Sequence, residues 1–248
     1  MTLAFEGIKF DMQPMGTRAT IAELASRLDV WVYENGSEVG AVHQTSSDSG
    51  FGTVSLTLNN TKTYTLYAFA HKATGACTLT DGIIAFPEDK PKECFFYTTT
   101  FSPATTTNIN AEMSRICGKF TMATTDAVPD DVDHVRFTII NTGLRYNVIT
   151  KEPANITDRT VDFPNITRKA DGTCSFSFNI IASDAVANFE ITATAYASDN
   201  SIIETKTFTD VPIRNSYRTT YTGAFFTTSE FSMTFTCADW QDYDTINF

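Results

Sequence analysis

Basic side chains are scarce in this chain, and histidine is rarer still. Eighteen lysines and arginines stand against 29 aspartates and glutamates in 248 residues, for a formal net charge of -11. That deficit excludes nucleic acid as a natural partner, because no Lys/Arg stripe exists to neutralise phosphates and a negative surface repels them. It argues equally against a polybasic contact with lipid headgroups. No apolar run approaches the roughly 18–20 residues that a membrane helix needs. No basic-then-apolar leader is visible. "MTLAFEG" opens directly on strand-like sequence, so any native localisation segment is expected to be missing from the chain.

Catalytic signatures are lacking as well. GxSxG, HExxH, the phosphate-binding GxxxxGK[ST] and GxGxxG do not occur. "SDSGFGT" carries a glycine pair but sits between two strand-like runs, so it reads as a hairpin loop. The three histidines, His43, His71 and His134, are far apart in sequence, and each reads as satisfied or solvent-facing. Asp126, Asp130, Asp131 and Asp133 form a loose acidic loop without the spacing or terminal Glu of an EF-hand. No enzyme activity, cofactor or metal is expected.

Five cysteines, Cys77, Cys94, Cys117, Cys174 and Cys237, make no CxxC and no close Cys/His group, so zinc is disfavoured. Strand phase puts Cys174 on a face with Phe176, Phe178 and Ile180, and Cys237 with Phe231, Met233 and Phe235. Cys117 faces the other way from Ile116, Gly118 and Phe120. Mostly free thiols are expected, with room for one disulfide, and the odd count leaves at least one unpaired.

What the chain does have is threonine and 20 phenylalanines, both suited to pleated, half-buried strands. "RLDVWVYE" and "SEVGAVHQ" flank Asn35-Gly36, the preferred content of a two-residue type I′ turn. "FGTVSLTL" offers Val54, Leu56 and Leu58 to one face. "TYTLYAFAH" and "CFFYTTTF" follow. "SPATTTNINA" (102–111) is polar and patternless. The strand texture then restarts with "SRICGKFTM", "DHVRFTII", "TCSFSFNI", "NFEITATAYA", "IIETKTFT" and "FSMTFTC". Short strands between turn signals predict an all-β sandwich protein in two units, 1–108 and 109–248. Helices are predicted only at Ala19–Arg27, capped by Thr17 or Thr20, and around "SDAVAN".

Surface binding has two residue-level candidates. The tail "ADWQDYDTINF" offers Trp240 and Tyr243 as a stacking surface, unless they simply cover a sheet edge. Trp31 is the third ring, although it and Tyr33 also read as a second buried layer.

"TRATIAELASRLDVWVYENGSEV" followed by "FGTVSLTL", "TYTLYAFAHK" and "FFYTTTF" resembles the fimbrillin-type proteins of Bacteroidales, the type V pilus proteins. The nearest likeness is to the minor fimbrial anchor or accessory subunits, and "VPIRNSYRTTYTGAFFTTSEFSMTF" is similar to the end of their second domain. The resemblance implies two tandem transthyretin-like β-sandwich domains and a fimbrial subunit at the cell surface or outer membrane. It implies a lipid anchor on a precursor cysteine absent from this chain. Its partners would be other fimbrial subunits, joined by β-strand addition, and surface ligands on host or bacterial cells. In pilus-building relatives an arginine-specific protease removes the first strand, which makes Arg18 the processing candidate; anchor-type members keep that strand. The alternative is a surface adhesin or glycan-binding lipoprotein outside a pilus.

Overall fold

The computed structural model describes residues 9–14 and 21–227. Its elements run β1 (Lys9–Pro14), α1 (Ile21–Leu24), β2 (Arg27–Glu34), β3 (Ser37–Thr45), β4 (Tyr64–His71), β5 (Thr78–Thr80), β6 (Ile83–Ala85), a 3₁₀ turn (Pro87–Asp89) and β7 (Cys94–Phe101). They continue with β8 (Ser114–Arg115), β9 (Cys117–Thr124), β10 (His134–Asn147), β11 (Glu152–Phe163), β12 (Ser175–Ile181), β13 (Ala187–Tyr196), β14 (Ile202–Ile213) and β15 (Tyr217–Gly223). The fold is an all-β sandwich.

Asn35-Gly36 makes the predicted turn. Both residues take positive φ, 50° and 83°, as a type I′ turn requires, and β2 and β3 pair on either side of it. The five-stranded sheet β3-β2-β4-β7-β8 grows from that hairpin. Alternation gives it two apolar faces. Trp31, Phe69 and Phe96 point one way; Leu28, Val30, Ala68, Ala70 and Phe95 point the other.

The second half is built on aromatic alternation. A four-stranded sheet, β1-β15-β9-β12, faces the β14-β13-β10 part of a larger sheet that also carries β6 and β5, with β11 on the far side of β10. Phe137 is fully buried at the centre. Its ring lies 5.3–6.0 Å from those of Phe120, Phe163, Phe176 and Phe178.

Strand β10 joins the halves. Its 14 residues span roughly 45 Å at strand rise. Its first part pairs with β13 and its last three residues pair with β6. Tyr146 and Val148 thereby enter the core beneath Trp31, Phe69 and Phe96. Arg145 also forks onto Asp89 of the 3₁₀ turn at 2.8 and 3.0 Å. One core thus draws residues from both sides of position 108.

Four local expectations are corrected. The helix predicted over Ala19–Arg27 is a single turn, because Arg27 already pairs in β2; Thr17 and Thr20 lie outside the described residues. "SDAVAN" is an irregular turn leading into β13. Residues 51–52 form a turn, and 53–58 join no strand among the described residues. The opening strand, expected within the first unit, pairs through Lys9–Pro14 with β15 of the second half.

Candidate functional site

A cleft of about 1750 Å³ lies on the outer face of the five-stranded sheet. Leu28, Val30, Leu66, Ala68, Ala70 and Phe95 make its floor. This arrangement follows from strand alternation: the same strands that send Trp31, Phe69 and Phe96 inward must send these residues outward. The two alanines keep the middle of the floor low. Ile21 and Leu24 of α1 pack along one side, and Met113 along another.

Two segments, 53–58 and 106–113, wall the cleft together with the start of β8. The first is moored at its start by Gln44. The Gln44 amide donates to the Thr53 carbonyl at 2.8 Å and accepts from the Gly52 N–H at 3.0 Å. From 54 to 58, and again from 107 to 113, the backbone joins no strand pairing among the described residues.

The other convergent group is Asp29, His71 and Cys77, all buried, whose ligand atoms lie within 4.8 Å of one another. The Asp29 carboxylate accepts from His71 Nε2 at 2.8 Å, His43 Nδ1 at 2.8 Å and the Cys77 N–H at 2.7 Å. Burial raises the Asp29 carboxyl, but the hydrogen bonds from His71, His43 and the Cys77 amide outweigh it, so the net shift is downward. His71 Nδ1 accepts the Ala73 N–H at 3.1 Å, which leaves the ring proton on Nε2, aimed at Asp29. Both ring nitrogens are therefore committed. Burial, reinforced by the Asp29 charge, pushes the Cys77 thiol far above its ordinary range. A protonated thiol and an imidazole without a free lone pair suit neither a metal nor a nucleophile–base pair. The group is a buried tie joining β2, β3 and β4 to the 73–77 loop.

The remaining candidates fall as follows. Trp31 is 3% exposed and packs in the inner core, edge-on to His43, so it presents no stacking surface. Arg18, Trp240 and Tyr243 lie outside the described residues. Asp126 is no calcium ligand in waiting: its carboxylate accepts the backbone N–H groups of Phe225, Phe226 and Thr227 at 2.6–2.8 Å. Cys174 sits in the second core with Phe176, Phe178 and Ile180, as its phase predicted. Cys117 lies apart from Phe120, which enters the second core, as its phase predicted, but it is fully buried and shares the first core with Ile116. The cleft itself was not foreseen. Its only sequence signal was "SPATTTNINA", polar and patternless, which forms part of a wall.

The described residues contain no helix long and apolar enough to cross a membrane. The chain belongs to a family of unknown function, DUF6562, whose profile matches residues 7–244. No curated protein matches it. Among solved structures it is similar to a candidate adhesin from Bacteroides thetaiotaomicron, with 11% identity, 83% of this chain and 81% of that one covered, and a TM-score of 0.53. A candidate adhesin from Bacteroides ovatus gives 12% identity, coverage of 74% and 69%, and a TM-score of 0.52. The fimbrial anchor protein Mfa2 from Porphyromonas gingivalis gives 11% identity, coverage of 80% and 82%, and a TM-score of 0.43.

Proposed function

We propose that this chain is a cell-surface fimbrial subunit of the anchor or accessory kind, acting in pilus assembly and adhesion by β-strand addition rather than by catalysis. The observation that carries this reading is the cleft, in which an apolar floor lies between two segments that join no strand pairing among the described residues. A strand entering there gains main-chain hydrogen bonds from a wall and places alternate side chains over Ala68 and Ala70. The volume supports an extended segment, since small-molecule pockets run to roughly 300–1,000 Å³. The resemblance of the strand sequences to fimbrillin-type proteins points the same way. In this reading 1–108 and 109–248 are the two sandwich units, with β10 shared between them, and a lipid anchor holds the protein at the outer membrane.

Processing at Arg18 takes a different meaning under the observed topology. Loss of Lys9–Pro14 would uncover the edge of β15. The candidate adhesins that share the fold favour a second reading, a surface adhesin outside a pilus.

The test is binding of a fluorescein-labelled eight-residue peptide alternating threonine with valine, followed by anisotropy. The full chain is expected to bind it, and Leu66→Arg, which puts a cation in the floor at a half-buried position, is expected to abolish binding while leaving the thermal melt in place. A wild-type chain that ignores the peptide, or binds it equally well as Leu66→Arg, overturns the acceptor role.

A further inference from the structure

Four buried cysteines are described, all with free thiols. Two of them meet where the halves of the molecule join. Cys94 opens β7, in the five-stranded sheet, and Cys117 opens β9, in the four-stranded sheet. The Ile116 N–H donates to the Cys94 carbonyl at 3.1 Å, which fixes the two backbones side by side. Cys117 Sγ lies 3.9 Å from that same carbonyl oxygen. Both residues are 0% exposed and belong to one core.

We propose that Cys94 and Cys117 are a dithiol poised to close as a disulfide, and that the bond clamps both ends of the segment walling the cleft. Everything from β7 through the 106–114 wall to β8 lies inside the loop that such a bond closes. The clamp joins two sheets that otherwise meet there through backbone hydrogen bonds and packing alone.

The two thiols are not equivalent. The Cys94 side chain beside it holds the Cys117 thiol below its ordinary value. Burial first, and the Cys117 neighbour second, push Cys94 well up. One sulfur inclined to the thiolate beside one that keeps its proton is the arrangement thiol–disulfide exchange uses. The oxidant is a low-molecular-weight disulfide. Cys117 sulfur attacks one of its sulfurs and expels a thiolate, leaving a mixed disulfide on Cys117. The expelled thiolate takes the Cys94 proton, and Cys94 sulfur then attacks the Cys117 sulfur and expels the second thiolate, which is protonated by the proton first lost from Cys117. Two protein thiols and one small disulfide become one protein disulfide and two small thiols. Because neither sulfur is exposed, exchange proceeds while the core is open, during folding or in a locally opened state.

The experiment uses the full chain in two arms. In one, native protein is held in glutathione rich in the disulfide form. In the other, denatured protein is refolded in that buffer. Each is then unfolded, alkylated and analysed by peptide mass spectrometry, beside a fully reduced control. A link between the peptides carrying Cys94 and Cys117 is expected in at least the refolding arm, with two fewer thiols alkylated than the five of the reduced chain. The linked form is expected to melt about 5–10 °C higher, a gain absent from Cys117→Ala. Five alkylated thiols in both arms overturn the proposal. So does a link that uses Cys77, Cys174 or Cys237 instead, and so does a Cys94–Cys117 link that leaves the melt unmoved.

Discussion

The five-stranded sheet has two apolar faces, and the molecule treats them differently. The inner face, with Trp31, Phe69 and Phe96, is sealed by β5, β6 and the end of β10, and aromatic rings meet across it: Phe96 and Tyr146 at 5.2 Å, Phe69 and Phe86 at 5.5 Å. The outer face, with Leu28, Val30, Ala68, Ala70 and Phe95, has one helical turn, the two wall segments and a cleft above it. The same strands supply both faces, so residue chemistry within the sheet does not explain the difference. The partner layer does. Strand β10 is long enough to reach from the second half under the first, and it covers one side only.

The largest expected effect tests the sealed face. Phe69 is fully buried, so Phe69→Ala should lose about 3–5 kcal/mol in urea unfolding. A loss below about 1.5 kcal/mol would mean that the inner core is as loosely covered as the outer one.

Next in size is the buried tie behind that face. Asp29→Ala strands His71, His43 and the Cys77 N–H without an acceptor, and should lose roughly 3 kcal/mol. The folded Asp29 carboxyl titrates below its ordinary value of 3.8. Its contribution is therefore complete above that value and fades as pH falls through the lower folded one. Denaturation midpoints measured between pH 5 and 2 should show an acid-side loss in the wild type that is shallower in Asp29→Ala. Parallel curves would show that Asp29 is not the group being titrated.

On the open face the same kind of truncation should matter less. Leu66 is only partly covered, so Leu66→Ala is expected to lose about 1 kcal/mol, because part of its surface already meets solvent. A loss equal to that of Phe69→Ala would mean the cleft is closed in solution.

This asymmetry between the faces was half visible in the sequence. Alternation in "RLDVWVYE" and "TYTLYAFAH" sorted the side chains onto two faces, and the Asn35-Gly36 turn set the register. Alternation in "TCSFSFNI" likewise placed Cys174, Phe176 and Phe178 in the second core. What local pattern could not supply is which face finds a partner. That depends on β10 running on past β13 to pair with β6, a contact between distant segments. "FGTVSLTL" failed as a strand for the same reason. Its alternation is real, with Val54 packing inward, but among the described residues no neighbouring strand pairs with it. Strand β11 went unpredicted because "EPANITDRTVDF" is an edge, rich in proline, asparagine and charge, with little apolar alternation to read. Asp29, His71 and Cys77 were invisible as a group because their convergence is wholly tertiary.

The smallest expected effect discriminates most sharply between the two faces. Ala68 is nearly buried, flanked by Val30 on β2 and Tyr97 on β7, and points into the cleft. Ala73 is equally buried but belongs to the sealed core. Enlarging either to phenylalanine adds the same atoms. At position 73 they have nowhere to go, and overpacking should cost about 1–3 kcal/mol. At position 68 a ring can rise into the open volume and cover its apolar neighbours, so Ala68→Phe should change stability by no more than about 0.5 kcal/mol. The same ring would occupy the space proposed for an incoming strand, so peptide binding should fall sharply while the urea midpoint stays put. Equal destabilisation at both positions would show that the outer face is as full as the inner one, and would remove the physical basis for strand acceptance.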